Sequence, residues 1–298
     1  MTVRLHLVDG TYELFRAHFS KRPGHVDPAG RDRKATIGVV WSMLTLLEDP
    51  DERVTHLAVA FDNPIRSFRN DLFDGYKTDD GVPPEILAQF DAVEEATRAL
   101  GIVTWSMKQW EADDALATAA ARFRDEVEQV RILTPDKDLG QCLRGDRVVQ
   151  VDRMRRKVID EAALLAARGV TPAQIPDYLA LVGDTADGIP GLRGFGEKTA
   201  AALLRAHGSL DAIPKRAAEW KADVRGAPAL ASVLAAEIDA VRLYRRLATL
   251  AEDVPLPETL DDLRFRGVPA AAFAAWCSAI GASNDLRSRS PRPRLDNA

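Results

Sequence analysis

Cysteine is scarce: Cys142 and Cys277 are the only two in 298 residues. They lie far apart and show no metal-ligand spacing, so two buried thiols in a reducing cytoplasm are expected rather than a disulfide. Long apolar runs are missing as well, and no stretch suffices to span a bilayer. The opening MTVRLHLVDG has only a short apolar stretch ending in an acid; it reads as a first β-strand, not as a signal peptide. Positive charge is not in excess either, with 40 Lys and Arg against 45 Asp and Glu and a net charge of −5. Proteins that hold nucleic acid usually carry surplus basic residues, so the total speaks against such a partner. A dense acidic site can nevertheless make the total negative while a basic surface elsewhere grips phosphate. The charge therefore has to be read locally.

What is present suits a globular protein with a sizeable core, 46% hydrophobic and 29% charged. The first half alternates strand-like and helix-like segments. Strands are expected at 3–8, 55–61, 102–107, 130–134 and 147–152, and helices at 36–48, 83–100 and 111–124. This alternation implies an α/β fold with a mostly parallel sheet. After Asp160 the pattern is helical to about Leu247, broken by GDTADGIPGLRGFGEKTAAALL. The end, DLRSRSPRPRLDNA, lacks large apolar residues other than leucine and reads as a basic disordered tail.

The chemistry gathers where strands end. VRLHLV stops at Asp9, HLAVAF stops at Asp62, and RILTP is followed by Asp136 and Asp138. In open α/β sheets that edge is where ligands bind. WEADD adds Glu111, Asp113 and Asp114 at a helix N-terminus, and GDTADG adds Asp184 and Asp187, three apart and so on one face of a helical turn. Any one of these acids could be a helix cap or a turn residue. Taken together, nine carboxylates in one place could not all ionise without cations. Oxygen donors select Mg²⁺ or Mn²⁺, and two such ions about 4 Å apart can activate water and stabilise a leaving oxygen at phosphorus.

A second pattern lies in IPGLRGFGEKTAAALL. Gly194 and Gly196 flank Phe195 ahead of an Ala- and Leu-rich helix, so backbone N–H groups can bind phosphate there without reading sequence. Arg193 and Lys198 are placed to add positive charge. Other basic groups are Arg66, Arg69, Lys77, the run Arg153, Arg155, Arg156 and Lys157, and the group Arg242, Arg245 and Arg246. Charge runs of this kind are usually solvated faces.

VDGTYELFRAHF, AFDNPIRSFRNDLFDGYK, WEADDALATAA, ILTPDKDLGQCL and LVGDTADGIPGLRGFGEKTAAALL resemble, in order and spacing, the motifs of the flap endonuclease and bacterial 5′–3′ exonuclease family. The resemblance covers about residues 1–250 and is to the N-terminal 5′ nuclease domain of bacterial family A DNA polymerases; with no polymerase following, a free-standing member is expected. It implies a PIN-like, mostly parallel sheet flanked by helices, a helical arch and a C-terminal helix-hairpin-helix region. The implied domains are a nuclease core at 1–160 with the arch at 64–100, and a helical DNA-binding region at 161–285 with the hairpin around 184–206. A tail follows at 286–298. The resemblance assigns Asp9, Asp62, Glu111 and Asp113 to a first metal site and Asp136, Asp138, Asp184 and Asp187 to a second. Asp114 is an additional acid acting through water, and K⁺ is implied at the helix-hairpin-helix. Lys77 and Arg16 are implied at the reacting phosphate, Arg69 at the base of the arch, and Tyr76 as a base-stacking ring.

The activity so implied is magnesium-dependent, structure-specific 5′ nuclease action on branched or nicked DNA with a 5′ flap or 5′ end. A cytoplasmic monomer is implied, working with a repair polymerase and a ligase and without a membrane. One departure stands out: where bacterial members read YKxxR, this chain reads YKTDD, with Asp80 in the arginine's place. If that stretch is a helical turn, Asp80 faces Lys77 and draws it from the phosphate. Two other readings share part of the pattern. A PIN-like ribonuclease has a similar acidic site but not the Gly194–Gly196 hairpin, and a DNA-junction-binding protein with weak catalysis would fit Asp80 and the negative total.

Overall fold

The computed structural model describes residues 3–289 and 291. In chain order its first half runs β1 (Arg4–Asp9), α1 (Gly10–His18), α2 (Lys34–Glu48), β2 (His56–Asp62), α3 (Pro84–Leu87), α4 (Phe90–Ala99), β3 (Val103–Met107), α5 (Ala112–Phe123) and β4 (Gln129–Leu133). There follow β5 (Val148–Asp152), β6 (Lys157–Ile159), α6 (Glu161–Arg168), α7 (Ile175–Val182), α8 (Glu197–His207), α9 (Ala227–Ala236), α10 (Ile238–Ala248), α11 (Ala270–Ala279) and α12 (Asn284–Ser288). Every expected strand forms, within a residue of its expected ends. Among the described residues no helix is long and apolar enough to cross a membrane.

The chain divides into two compact units. One takes the described residues up to Arg66, Asp79–Thr134 and those from Glu252 onward; the other takes Ser67–Thr78 and Pro135–Ala251. In the first unit the strands run β3-β2-β1-β4, all parallel. β1 and β2 are buried almost throughout, which is why they read as continuous apolar runs rather than alternating ones. α5 packs across all four strands with an Ala-rich face that permits close approach. The second unit holds the antiparallel pair β5 and β6 and the helices α6 to α10.

The helix expected over 83–100 is two helices, and Gln89 explains the break. Its buried amide Nε2 donates to the Glu85 carbonyl (2.9 Å), while its Oε1 accepts from the Thr36 N–H (3.0 Å) and hydroxyl (3.1 Å). The side chain thus ties the end of α3 to the open N-terminus of α2, where no side chain of the preceding residue serves as cap.

The segment beyond Leu250 returns to the first unit. Leu57 N–H donates to Leu263 O (2.9 Å) and Phe265 N–H to Thr55 O (2.9 Å). Arg122 donates to Leu256 O (2.8 Å), and the Trp105 indole to Glu258 (2.9 Å). The tail expected at 286–298 is helical at its start, since α12 buries Leu286 and Arg289 forms an ion pair with Glu48. The rest of that expectation, residues 290 and 292–298, lies outside the described residues.

At the N-terminal edge of the sheet, His6 and Arg131 are register partners on β1 and β4. His6 Nε2 donates to Glu52 Oε2 (3.0 Å), and Arg131 Nε (2.7 Å) and Nη2 (3.1 Å) donate to the two Glu52 oxygens. Burial opposes the charge on Glu52, but the His6 and Arg131 hydrogen bonds and the Arg131 charge overcome it and hold the carboxyl at about 2. Burial pushes His6 below its ordinary value, with Glu52 opposing. Both shifts make the unfolded chain bind more protons than the folded one, so stability falls as the solution is acidified. The His6 part goes as pH drops through 6.5, and the Glu52 part between 4.5 and about 2. Glu52→Gln is expected to cost about 1.5–3 kcal/mol at neutral pH. In urea unfolding, its deficit against the parent should shrink as pH falls below 4.5.

Candidate metal and DNA site

In the first unit the strand ends carry the acids. Asp9 closes β1 level with Ala60 of β2, and Asp62 closes β2 level with Met107 of β3. Asp9 is also the N-cap of α1: Oδ1 accepts from Tyr12 N–H (2.8 Å) and Oδ2 from the Thr134 hydroxyl (2.9 Å). Asp62 Oδ1 accepts from Ala112 N–H (2.7 Å) at the start of α5, and its own N–H donates to Thr11 Oγ1 (2.8 Å). Glu111 and Asp114 form a reciprocal capping box on α5, with Glu111 N–H donating to Asp114 Oδ2 (3.0 Å). Asp113 follows in the same first turn, half-buried. Main-chain donors and the positive end of α5 hold these carboxylates in place.

In the second unit a two-bond bridge between Asp184 and Ile189 (2.8 and 2.7 Å) closes a loop that carries both Asp184 and Asp187. Ligand atoms of Asp138, Asp184 and Asp187 lie within 4.8 Å of one another. Asp136 stands beside them, its Oδ1 accepting from the Asp138 N–H (2.9 Å). Asp138 is 4% exposed, and its Oδ1 is buried without a hydrogen-bond partner. Burial, and then the charges of Asp136, Asp187 and Asp184, push its carboxyl well above the ordinary value, with Lys77 opposing. A buried carboxylate oxygen lacking a donor, amid acids that repel it, is a fitting ligand for a hard cation.

Two lysines already offset this charge. Lys77 Nζ lies 2.9 Å from Asp187 Oδ1, and Lys137 Nζ lies 2.6 Å from Asp184 Oδ2. The helical turn that would face Asp80 to Lys77 does not form, since Lys77 and Thr78 are outside any helix. Lys77 is instead held by its own N–H, which donates to Asp187 O (3.0 Å). Gly188 makes that contact possible. It sits at φ +75°, and a Cβ there would come 2.1 Å from the Gly75 carbonyl oxygen.

The other residues implied by the resemblance are placed as follows. Arg16 lies on α1, in an ion pair with Glu13 and donating to Ser42 Oγ (2.9 Å). Arg69 is 1% exposed; its Nε donates to Leu247 O (2.7 Å) and Nη2 to Thr249 O (3.0 Å), so it caps the C-terminal end of α10. Tyr76 is buried in the apolar cluster of the second unit, where its ring is a packing element. The acids carry their own sequence signal, apolar run then Asp. Thr134, Thr11, Glu13 and Lys137 carry none, because a hydroxyl or lysine shows its partner only in the fold.

The hairpin links α7 to α8. Leu192 N–H donates to Leu181 O (2.8 Å) and Phe195 N–H to Leu192 O (3.0 Å), with Phe195 buried and Arg193, Gly194, Gly196 and Lys198 exposed. Gly196 is the N-cap of α8, with no side chain capping the first turn, which suits an anion. The two glycines differ. Gly194 sits at φ +88° with Leu230 Cδ2 3.0 Å from a built Cβ, whereas Gly196 has ordinary φ and open space. Gly194→Ala should therefore cost about 1 kcal/mol or more of stability. Gly196→Val should leave the melting temperature nearly unchanged yet weaken DNA binding several-fold by screening the N–H groups. Melting curves and duplex titrations of the two variants check this.

Comparison with known proteins agrees with this layout. A family model described as 5′-3′ exonuclease, N-terminal resolvase-like domain, matches residues 4–169, and one described as 5′-3′ exonuclease, C-terminal SAM fold, matches residues 170–271. The chain belongs to the 5′–3′ exonuclease family. It is 38% identical over 265 residues to DNA polymerase I of Rhizobium leguminosarum, covering 87% of this chain and 26% of that one. It is 36% identical over 254 residues to the thermostable DNA polymerase I of Thermus aquaticus, covering 85% and 29%. The chain thus spans under a third of the length of these relatives. Among solved structures, the T5 D15 protein co-crystallized with metal ions has a TM-score of 0.63 at 16% identity, with 96% of each chain covered. The catalytic core of Rad2 in complex with DNA substrate has a TM-score of 0.58 at 14% identity, covering 96% of this chain and 89% of that one. These two likenesses establish the fold. The 5′–3′ exonuclease family comprises hydrolases of DNA phosphodiesters, and this chain carries a carboxylate cluster of Asp138, Asp184 and Asp187.

Proposed function

We propose that the chain is a divalent-metal-dependent, structure-specific 5′ nuclease that hydrolyses DNA at a 5′ flap or 5′ end. The observation that carries this reading is the cluster of Asp138, Asp184 and Asp187, with ligand atoms within 4.8 Å and the buried Asp138 Oδ1 lacking a donor. Asp136, Asp138, Asp184 and Asp187 would hold one Mg²⁺ or Mn²⁺, and Asp9, Asp62, Glu111 and Asp113 another, with Asp114 acting through water. Bound there, such ions lower the pKa of water and offset charge on phosphate. The chain's own residues supply the rest. Lys77, freed from Asp187, and Arg16 orient and neutralise the scissile phosphate. Arg193, Lys198 and the N–H groups at Gly194 and Gly196 hold the duplex arm through its phosphates. Arg69 and Tyr76, both buried, support the arch segment from within. K⁺ at the hairpin, a monomeric state, a cytoplasmic setting and cooperation with a repair polymerase and a ligase belong to the same proposal. The solved structures support it in two respects: the T5 D15 protein was co-crystallized with metal ions, and the Rad2 catalytic core is in complex with DNA substrate. The test is cleavage of a labelled 5′-flap DNA, its RNA equivalent and a duplex with no single-stranded 5′ end. Preferential cutting of the flap DNA in Mg²⁺ is expected. Preference for the RNA would favour a ribonuclease, and binding without cutting a junction-binding protein.

A further inference from the structure

The second unit carries a groove of about 430 Å³ that none of the residues so far given a role explains, apart from Lys198 at its rim. The C-terminal half of α6 forms one wall and α8 the other. Five of its lining residues are alanine or glycine, among them Ala201 and Gly169, which leaves room for a polymer backbone. Three cations line it, Arg168, Lys198 and Arg205, against one carboxylate, Glu197. Among the described residues none of the three cations makes an ion pair or a side-chain hydrogen bond.

That absence of partners separates them from Arg155, Arg242 and Arg245 among the basic groups prominent in the sequence. Arg242 and Arg245 are both bound to Asp211 (2.8 and 2.7 Å), and Arg155 is bound to Asp152 (2.9 Å). Their charge is already spent within the fold. Arg205 reaches across the groove: Gly169 sits at φ +71°, and a Cβ built there would lie 2.5 Å from the Arg205 guanidinium. Gly169 is the left-handed C-cap of α6, and the guanidinium lies over that end of the helix. Lys198 and Arg205 are seven residues apart on α8, so they share a face and stand about 10 Å apart along its axis.

We propose that this groove is a second phosphate-backbone site, in which Arg168 and Arg205 extend the grip of the Gly196 helix end and Lys198 along one strand of a DNA duplex. The proposal rests on the 5′ nuclease reading and adds to it two contact residues and a direction for the duplex arm. Recognition is by charge and is independent of base sequence, because the groove offers three cations beside alanine and glycine.

The experiment is binding of a duplex-armed 5′-flap DNA in Ca²⁺ at several salt concentrations, for the parent, Arg168→Gln/Arg205→Gln and Arg168→Glu/Arg205→Glu. Losing two phosphate contacts should make the slope of log affinity against log salt shallower by about 1.8, from about 0.9 for each contact. Affinity at low salt should fall at least tenfold for the Gln pair and further for the Glu pair, on two duplexes of unrelated sequence alike. Arg205 is exposed and Arg168 half-buried, so melting temperatures close to the parent's are expected and show that the fold is intact. An unchanged slope and affinity in both variants, with the parent binding normally, would overturn the groove. A parent that binds no duplex at all would instead sink the nuclease reading on which the groove rests.

Discussion

Asp138→Asn is expected to lower Mg²⁺-dependent cleavage by at least about 100-fold while making the metal-free protein more stable. The two effects have one cause. Asp138 is buried, its Oδ1 has no donor, and the charges of Asp136, Asp187 and Asp184 disfavour its ionised form. Asparagine keeps the shape and removes the charge, so the metal-free fold loses a source of repulsion. A gain on the order of 1 kcal/mol, read as about 2–4 °C in melting temperature, is expected for a chain of this size. Divalent cation should reverse the order. It should stabilise the parent by about 2.7 kcal/mol at a hundred times its dissociation constant, and the variant much less. DNA binding should survive, because the proposed duplex contacts at the hairpin use main-chain donors rather than these carboxylates. Melting curves with and without Mg²⁺, beside single-turnover cleavage, read all of it. A variant that melts lower than the parent without metal would mean that Asp138 is a structural acid.

Lys77→Ala is expected to slow single-turnover cleavage by about 10²–10³-fold and at the same time to tighten divalent-metal binding. Lys77 Nζ lies 2.9 Å from Asp187 Oδ1. In the free protein this ammonium neutralises a carboxylate that the cation needs, so its removal leaves the cluster more negative. In the proposed reaction the same ammonium serves the scissile phosphate, so its removal should cost rate. Lys137, 2.6 Å from Asp184 Oδ2, shares only the first role. Lys137→Gln should therefore tighten metal binding with a much smaller loss of rate. Calorimetric titration with Ca²⁺ and single-turnover cleavage in Mg²⁺ separate the two lysines. Weaker metal binding in Lys77→Ala would show that the lysine holds the cluster together rather than competing for it.

The sheet and its acids were legible because both rest on local pattern. Asp9 and Asp62 each end an apolar run, and a buried parallel strand requires such a run. The start of α5 was legible from Glu111, Asp113 and Asp114, acids gathered at a helix N-terminus. Arg69 shows where local pattern stops. Its charge reads as a surface group, yet its partners are the Leu247 and Thr249 carbonyls, far along the chain, and the guanidinium is buried among them. Tyr76 is similar, since an aromatic ring next to a lysine reads alike whether it packs or stacks. Gln89 split a helix through a contact with Thr36 that periodicity cannot register. The basic residues were the hardest to read. Arg242 and Arg245 drew notice by clustering but are paired with Asp211 and Asp177, whereas Arg168 and Arg205, unremarkable in sequence, share one groove.

The carboxylates at the strand ends and in the Asp184–Ile189 loop are proposed to serve metal-dependent cutting of a 5′ single strand. The most direct measurement is single-turnover cleavage of a 5′-labelled flap DNA by the parent, Asp9→Asn and Asp138→Asn, in Mg²⁺ and in EDTA. Short labelled products should appear with the parent in Mg²⁺ alone, and neither variant should form them at more than about a hundredth of that rate. Cleavage by the parent in EDTA, or full-rate cleavage by either variant in Mg²⁺, would contradict the account.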